Sequence, residues 1–153
     1  MPSREPGWTH KAVRDSWTES TIDIKLHKNE WGTHPFRFTP DLIDSLSKRV
    51  ALDRASSGHQ LTVAQYVDAA MATLLPSDLD SQIALAEAFI RRRGGVPAGK
   101  QSSHRVSPAV YAIVSKLPDA LRAAGRGRTA VHIYSAIVDE FLSAIEAEGP
   151  LTK

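Results

Sequence analysis

The sequence predicts a mainly α-helical chain in which a short strand followed by two helices occurs twice. Two observations carry this reading. "FRFTPDLIDSL" at 36–46 and "HRVSPAVYAIV" at 104–114 share a strand-like start, an arginine, a Thr/Ser-Pro pair and a helical apolar run. A second helical run opened by threonine follows each of them, at Thr62 and at Thr129. At an offset of 68 residues, Arg37, Phe38, Thr39, Pro40, Leu42 and Leu46 fall on Arg105, Val106, Ser107, Pro108, Val110 and Val114. One residue fewer in the loop makes the offset 67, and Thr62, Tyr66, Ala70, Met71, Leu74 and Leu75 fall on Thr129, Ile133, Ile137, Val138, Phe141 and Leu142. Agreement of polarity, caps and order across strand, helix, turn and helix reads as an internal repeat.

Residues 1–32 read as an N-terminal arm containing Trp8, Trp17 and Trp31 among polar groups. Within it "TIDIKLH" (21–27) alternates apolar and polar residues, the period of a half-buried strand. The competing reading is an arm whose tryptophans dock on the body. Residues 33–76 form the first repeat. In "HPFRF", Phe36 and Phe38 fall on one side of an extended strand and Arg37 on the other. Thr39-Pro40 reads as an N-cap followed by proline at the first helical position, where its missing N–H costs nothing. Leu42, Ile43, Leu46 and Val50 then recur at helical spacing. "SSGHQ" breaks that helix. Thr62 caps the next, whose apolar face is Val63, Tyr66, Val67, Ala70, Met71 and Leu74 before Pro76 ends it.

Residues 77–100 read as a linker with a helix on about 78–93 (Ile83, Ala86, Phe89, Ile90 inward) and Gly94 as its stop. "GGVPAGKQS" is a flexible lead into the second repeat, 101–148, and 149–153 is a tail. The second copy departs from the first in two places. Pro118 stands where Val50 stands, so that helix is expected to kink or split near Leu117. His104 replaces Phe36 and is expected to be a packed or rim residue. Pro35 limits ladder bonding in the first strand.

Composition excludes several classes. The chain has 153 residues, 42% hydrophobic and 24% charged, with no cysteine, so disulfides and thiolate metal sites are ruled out. No apolar run reaches the roughly 18–20 residues needed to span a bilayer, and the N-terminus lacks the apolar core of a secretory signal. The six histidines show no i, i+4 pair or compact metal spacing, so no metal and no cofactor is expected. No nucleophile-elbow or phosphate-loop pattern occurs, and no catalytic constellation is expected. Net charge is only +2, although the sequence pI is about 9.0. Any face for nucleic acid must therefore come from segregated charge.

The strand–helix–helix unit, with its polar outward strand face, resembles the ribbon-helix-helix DNA-binding superfamily of the Arc, MetJ and CopG repressors. "FRFTPDLIDSL" is similar to its strand-to-helix signature and "GHQLTVAQYVDAAMATLL" to its turn and second helix. The two copies cover about two thirds of the chain and resemble the tandem arrangement of the TraY conjugation proteins. The resemblance implies a mainly α fold with a short two-stranded antiparallel β-ribbon. The strands near 34–38 and 102–106 would pair within one chain as a tandem ribbon-helix-helix pseudo-dimer.

The resemblance also implies a function: the ribbon enters the major groove of double-stranded DNA, whose width admits it. Base contacts would come from Arg37, Arg105, Ser103, Gln101 and Thr33, with Pro35 on the same face. The N-termini of the second helices would hold phosphates at Thr62 and Val63 and at Thr129 and Ala130. Arg126 and Arg128 would add charge beside the second. Because Pro35 and Arg37 lie beside Ser103 and Arg105, the recognised DNA element would be asymmetric. "RRR" at 91–93 reads first as a solvated helix end.

The expected role is that of a prokaryotic transcriptional regulator, or a plasmid partition or conjugation accessory protein, cytoplasmic and associated with nucleoid or plasmid. Self-association on adjacent DNA sites is expected through Tyr66, Tyr134 or the linker helix. The alternative is a protein-interaction module, antitoxin-like or scaffold, acting through the N-terminal arm or the linker helix.

Overall fold

A computed structural model of the chain describes residues 5–27, 30–94 and 99–152, with 22–27 described by backbone alone. In chain order the elements are α1 (Trp8–His27), β1 (Gly32–Phe38), α2 (Pro40–Ser57), α3 (Val63–Leu74), α4 (Leu79–Arg93), β2 (Lys100–Val106), α5 (Pro108–Val114), α6 (Leu117–Ala123) and α7 (Ala130–Glu148). The strands form one two-stranded antiparallel sheet, each two residues longer at its start than the sequence suggested. Its register runs from Gly32↔Val106 through Pro35↔Ser103 to Phe38↔Lys100. Pairing continues through Pro35, which a two-stranded ribbon tolerates because alternate N–H groups face an open edge.

One face of the ribbon is the roof of the core. Along β1, His34, Phe36 and Phe38 are buried while Thr33, Pro35 and Arg37 are exposed, the alternation that the pleat imposes. The Phe36 and Phe38 rings stack at 5.7 Å, and Tyr134 of α7 meets Phe36 edge-on at 5.0 Å. Beneath them lie Leu42, Leu46 and Val50 of α2, Tyr66, Val67, Ala70 and Met71 of α3, and Ile133, Ile137, Val138 and Phe141 of α7, all buried. A fully buried side chain of this size contributes about 1.5–3 kcal/mol, so the ribbon is tied down mainly by its two phenylalanines.

Local signals account for the helix ends. Pro40, Pro108 and Pro118 sit in the first turns of α2, α5 and α6. Gly58 and Gly94 close α2 and α4 in the left-handed conformation, at φ 76° and 67°, which glycine adopts without steric cost. Pro118 lies in the first turn of α6, and the helical run that begins at Pro108 is divided there into α5 and α6, as the proline's position requires.

Three sequence expectations are corrected, and the tail is seen to pack on the body. Residues 21–27, expected as a strand, are the last turns of α1; α1 packs against α3 and α7, and tertiary packing overrides a short local alternation. Tyr66 and Tyr134, expected at a self-association surface, are interior at 0% and 2% exposure. Their hydroxyls reach Asp53 and His34. Ile90, expected inward on α4, is exposed, while Ala86 and Phe89 are buried. The tail is docked: Leu151 is fully buried and its N–H donates to Asp53 Oδ1 at 2.9 Å. The part of the "GGVPAGKQS" lead at 95–98 lies outside the described residues.

Candidate nucleic-acid interface

The face of the ribbon opposite the core is solvent-exposed and made of six side chains: Thr33, Pro35 and Arg37 on β1, and Gln101, Ser103 and Arg105 on β2. The register sets Thr33 across from Arg105, Pro35 across from Ser103 and Arg37 across from Gln101. The two arginines therefore stand at diagonally opposite corners. Each guanidinium leans toward the carbonyl of a residue just outside the partner strand's core pairing. Arg37 Nη1 lies 3.4 Å from the Gly99 carbonyl oxygen and Arg105 Nη2 lies 3.5 Å from that of Trp31. These are long, weak contacts. All five residues expected to contact bases thus share one face.

The strand-to-helix turns are held reciprocally. The Thr39 N–H donates to Ser135 Oγ of α7 at 3.0 Å. The Ser107 N–H and Oγ–H donate to Asp68 Oδ1 of α3 at 2.9 and 2.8 Å, and Ser16 of α1 donates to Asp68 Oδ2 at 2.9 Å. Thr39 and Ser107 occupy N-cap positions, but neither side chain makes the capping bond expected of it. The orphan donors are served across the molecule instead. Asp68 is buried and accepts three hydrogen bonds without a basic partner among the described residues.

The two helix N-termini differ. At α3, Thr62 Oγ1 accepts from the Gln65 N–H while Gln65 Oε1 accepts from the Thr62 N–H, a complete capping box. Gln65 also donates to Ser20 of α1 at 2.9 Å, so α1 flanks Thr62 and Val63. At α7, Thr129 has helical backbone angles and makes no side-chain capping bond, unlike Thr62. Where α3 has Gln65, α7 has His132, which cannot close the same box. Ahead of Thr129 the loop carries Arg126 and Arg128, both exposed, with Arg128 at φ 71°. Arg126 pairs with Glu87 of α4 at 3.1 Å. The α7 terminus abuts the ribbon: a Cβ at Gly99 would meet Val131 at 2.6 Å and the Arg37 side chain at 3.5 Å. Arg37 and Lys100 thus lie at the end of the ribbon that the start of α7 approaches, and Arg126 and Arg128 precede that start in the chain. The corresponding loop before Thr62 carries His59, stacked near Trp17, and Gln60, bonded by Arg54.

The arginine run at the end of α4 is engaged with acids. Arg92 reaches Asp139 at 3.1 Å, and Arg93 reaches Asp41 at 2.9 Å and Asp139 at 3.4 Å while lying over the Phe89 ring. Sequence reasoning missed Asp68, Ser135 and Ser16. Small polar residues inside apolar helix faces were the available signal, but a single sequence does not separate them from solvated positions. Among the described residues no cluster of three or more potential metal ligands occurs, and no helix is long and apolar enough to cross a membrane. No family model matches the chain, and comparison with curated proteins and with solved structures gives no match.

Proposed function

We propose that this chain binds double-stranded DNA sequence-specifically, inserting the β1–β2 ribbon into the major groove as a tandem ribbon-helix-helix pseudo-dimer. The observation that carries the reading is the register. Its central pair, Pro35 and Ser103, is 68 residues apart, the same offset that aligns the two repeats. A local two-fold axis through that pair exchanges Arg37 with Arg105, Gly99 with Trp31, and Thr39–Ser135 with Ser107–Asp68. The exposed face that results is narrow, polar and bounded by two arginines, whose forked donors suit guanine O6 and N7. The basic end around Arg126 and Arg128 would meet backbone phosphate. An exposed ion pair such as Arg126–Glu87 is worth only about 0–1 kcal/mol, so it exchanges readily for a phosphate. The biological role on this reading is a prokaryotic transcriptional regulator or a plasmid partition or conjugation accessory protein, working in the cytoplasm on nucleoid or plasmid DNA.

A second reading, a protein-interaction module without DNA readout, is favoured by the neutralised arginines at 92, 93 and 126. A gel-shift titration against salt separates the two. DNA binding should weaken steeply with salt, and Arg128→Ala should lower the log–log slope by about one. Arg37→Ala and Arg105→Ala should each remove about 1–3 kcal/mol of sequence discrimination while the fold persists. Variants that bind DNA with the parent's preference would refute the ribbon as reader.

A further inference from the structure

On the buried side of the ribbon two histidines face each other across the strands, His34 directly opposite His104 in the register. His34 is 7% exposed and its Nε2 lies 3.2 Å from the Tyr134 hydroxyl. Its ring meets Phe36 edge-on at 4.7 Å. His104 Nε2 lies 2.6 Å from the Ser102 hydroxyl, with Phe36 and Phe38 within 6.4 Å of its ring. The other titratable side chains brought to this layer are Tyr134 from α7, Tyr111 from α5, packed on Gly32, and Asp68 from α3, taken up by Ser107 and Ser16. Among the described residues neither imidazole has a carboxylate partner. Both are bonded only to hydroxyls, which serve a neutral ring equally well.

We propose that this facing pair makes the ribbon an acid-released element: proton uptake by His34 or His104 places a cation between ribbon and helices, and the ribbon detaches before the helical body unfolds. A charge in that layer is desolvated with only hydroxyls bonded to the rings, the Asp68 carboxylate being committed to Ser107 and Ser16, and two imidazolium rings directly opposite would also repel. Burial holds both rings below the ordinary histidine pKa. The released ribbon takes up the protons that the docked one refuses. Docking is therefore complete above the free histidine value near 6.5 and weakens as pH falls below it toward the depressed values. The inference concerns the ribbon's attachment and holds whether or not the ribbon reads DNA. On the DNA reading, release of DNA at mildly acidic pH follows from it.

Hydrogen exchange of the full chain, corrected for intrinsic exchange and compared between about pH 7.5 and about pH 5, tests the proposal. Ribbon amides at 32–38 and 100–106 should lose protection, by at most about thirtyfold per histidine at pH 5, while α3 and α7 keep theirs. His104→Phe installs the residue that the first repeat uses at that position, and with His34→Gln it should flatten the ribbon's pH response. His104→Phe alone should reduce the response if the double variant folds poorly. His132, also held low by burial, lies on α7 and is not one of the facing pair, so His132→Gln should leave most of the ribbon's response in place. Equal loss of protection in ribbon and helices, or a pH response that persists unchanged both in His104→Phe and in His34→Gln, would overturn the proposal.

Discussion

Replacing Asp68 by alanine probes the reciprocal turn contacts most directly. The carboxylate is 3% exposed and accepts from the Ser107 N–H, the Ser107 hydroxyl and the Ser16 hydroxyl. Hydrogen bonds to a charged group are worth about 1.5–3 kcal/mol each, and an abandoned buried N–H costs about 1–3 kcal/mol. Against this, removing a buried charge recovers several kcal/mol of desolvation. The balance is a net loss of about 3 kcal/mol. Ser135→Ala removes one neutral acceptor from the Thr39 N–H and should cost about 1–2 kcal/mol. Asp68→Ser gives the first repeat the hydroxyl that the second uses and should cost about half as much as alanine. In urea, with a slope of about 2 kcal/mol/M, Asp68→Ala should move the midpoint by about 1.5 M and Ser135→Ala by less than about 1 M. If Asp68→Ala costs no more than Ser135→Ala, desolvation offsets most of the three bonds, and the carboxylate holds its turn no better than a neutral hydroxyl does.

Gly32→Ala should destabilise by about 1–3 kcal/mol, because its Cβ would fall 2.3 Å from the Tyr111 ring; in a Tyr111→Ala background the same change should be nearly neutral, which a double-mutant cycle in urea reads directly. Leu151→Ala should cost about 2–5 kcal/mol, since that side chain is fully buried although it lies in the tail, and calorimetry would show a lowered midpoint. Asp53→Ala should cost about 3–5 kcal/mol. It leaves Arg49, whose side chain is only 9% exposed and bonded to Asp53 at 2.8 Å, with the Gly149 carbonyl but no carboxylate, and it also frees the Leu151 N–H and the Tyr66 hydroxyl.

What was legible in the sequence was what depends on near neighbours. Phe36, Arg37 and Phe38 alternate by the geometry of an extended chain. Thr39-Pro40 and Ser107-Pro108 start helices because proline fits the first turn. Gly58 and Gly94 stop them because they adopt positive φ, and Pro118 splits α5 from α6. What was hidden depends on partners far along the chain. The apolar side of α1 is sparse: Val13 is fully buried, but Thr9 and Ser16 are interior too, through bonds to Glu148 and Asp68. A helix buried partly through polar groups leaves no 3.6-residue apolar stripe. Asp53 and Asp68 counted only toward net charge in the sequence, yet both are interior acceptors. The exposed candidate positions Thr33, Arg37, Gln101, Ser103 and Arg105 were readable because their placement follows from strand period alone. The unequal capping at Thr62 and Thr129 was not, because it rests on Gln65 against His132 three residues later.

The register also sharpens the DNA target expected of the proposed reader. Sequence alone suggested an element with no palindrome. On the proposed pseudo-dimer, a two-fold axis through Pro35 and Ser103 would make Arg37 and Arg105 equivalent corners, so the outer positions of the bound element should be symmetric, a guanine on each strand. The centre should not be, because Pro35 offers no donor where Ser103 offers a hydroxyl, and the arginines' cross-strand neighbours also differ, Gln101 beside Arg37 and Thr33 beside Arg105. Selection from a random library should therefore yield inverted guanines around a non-palindromic centre. Arg37→Ala should relax one outer position and Arg105→Ala the other, each by about 1–3 kcal/mol, and neither should alter the centre. If both variants relax the same position, the two arginines do not occupy equivalent places on the duplex, and the two-fold reading of the ribbon fails even if the chain binds DNA.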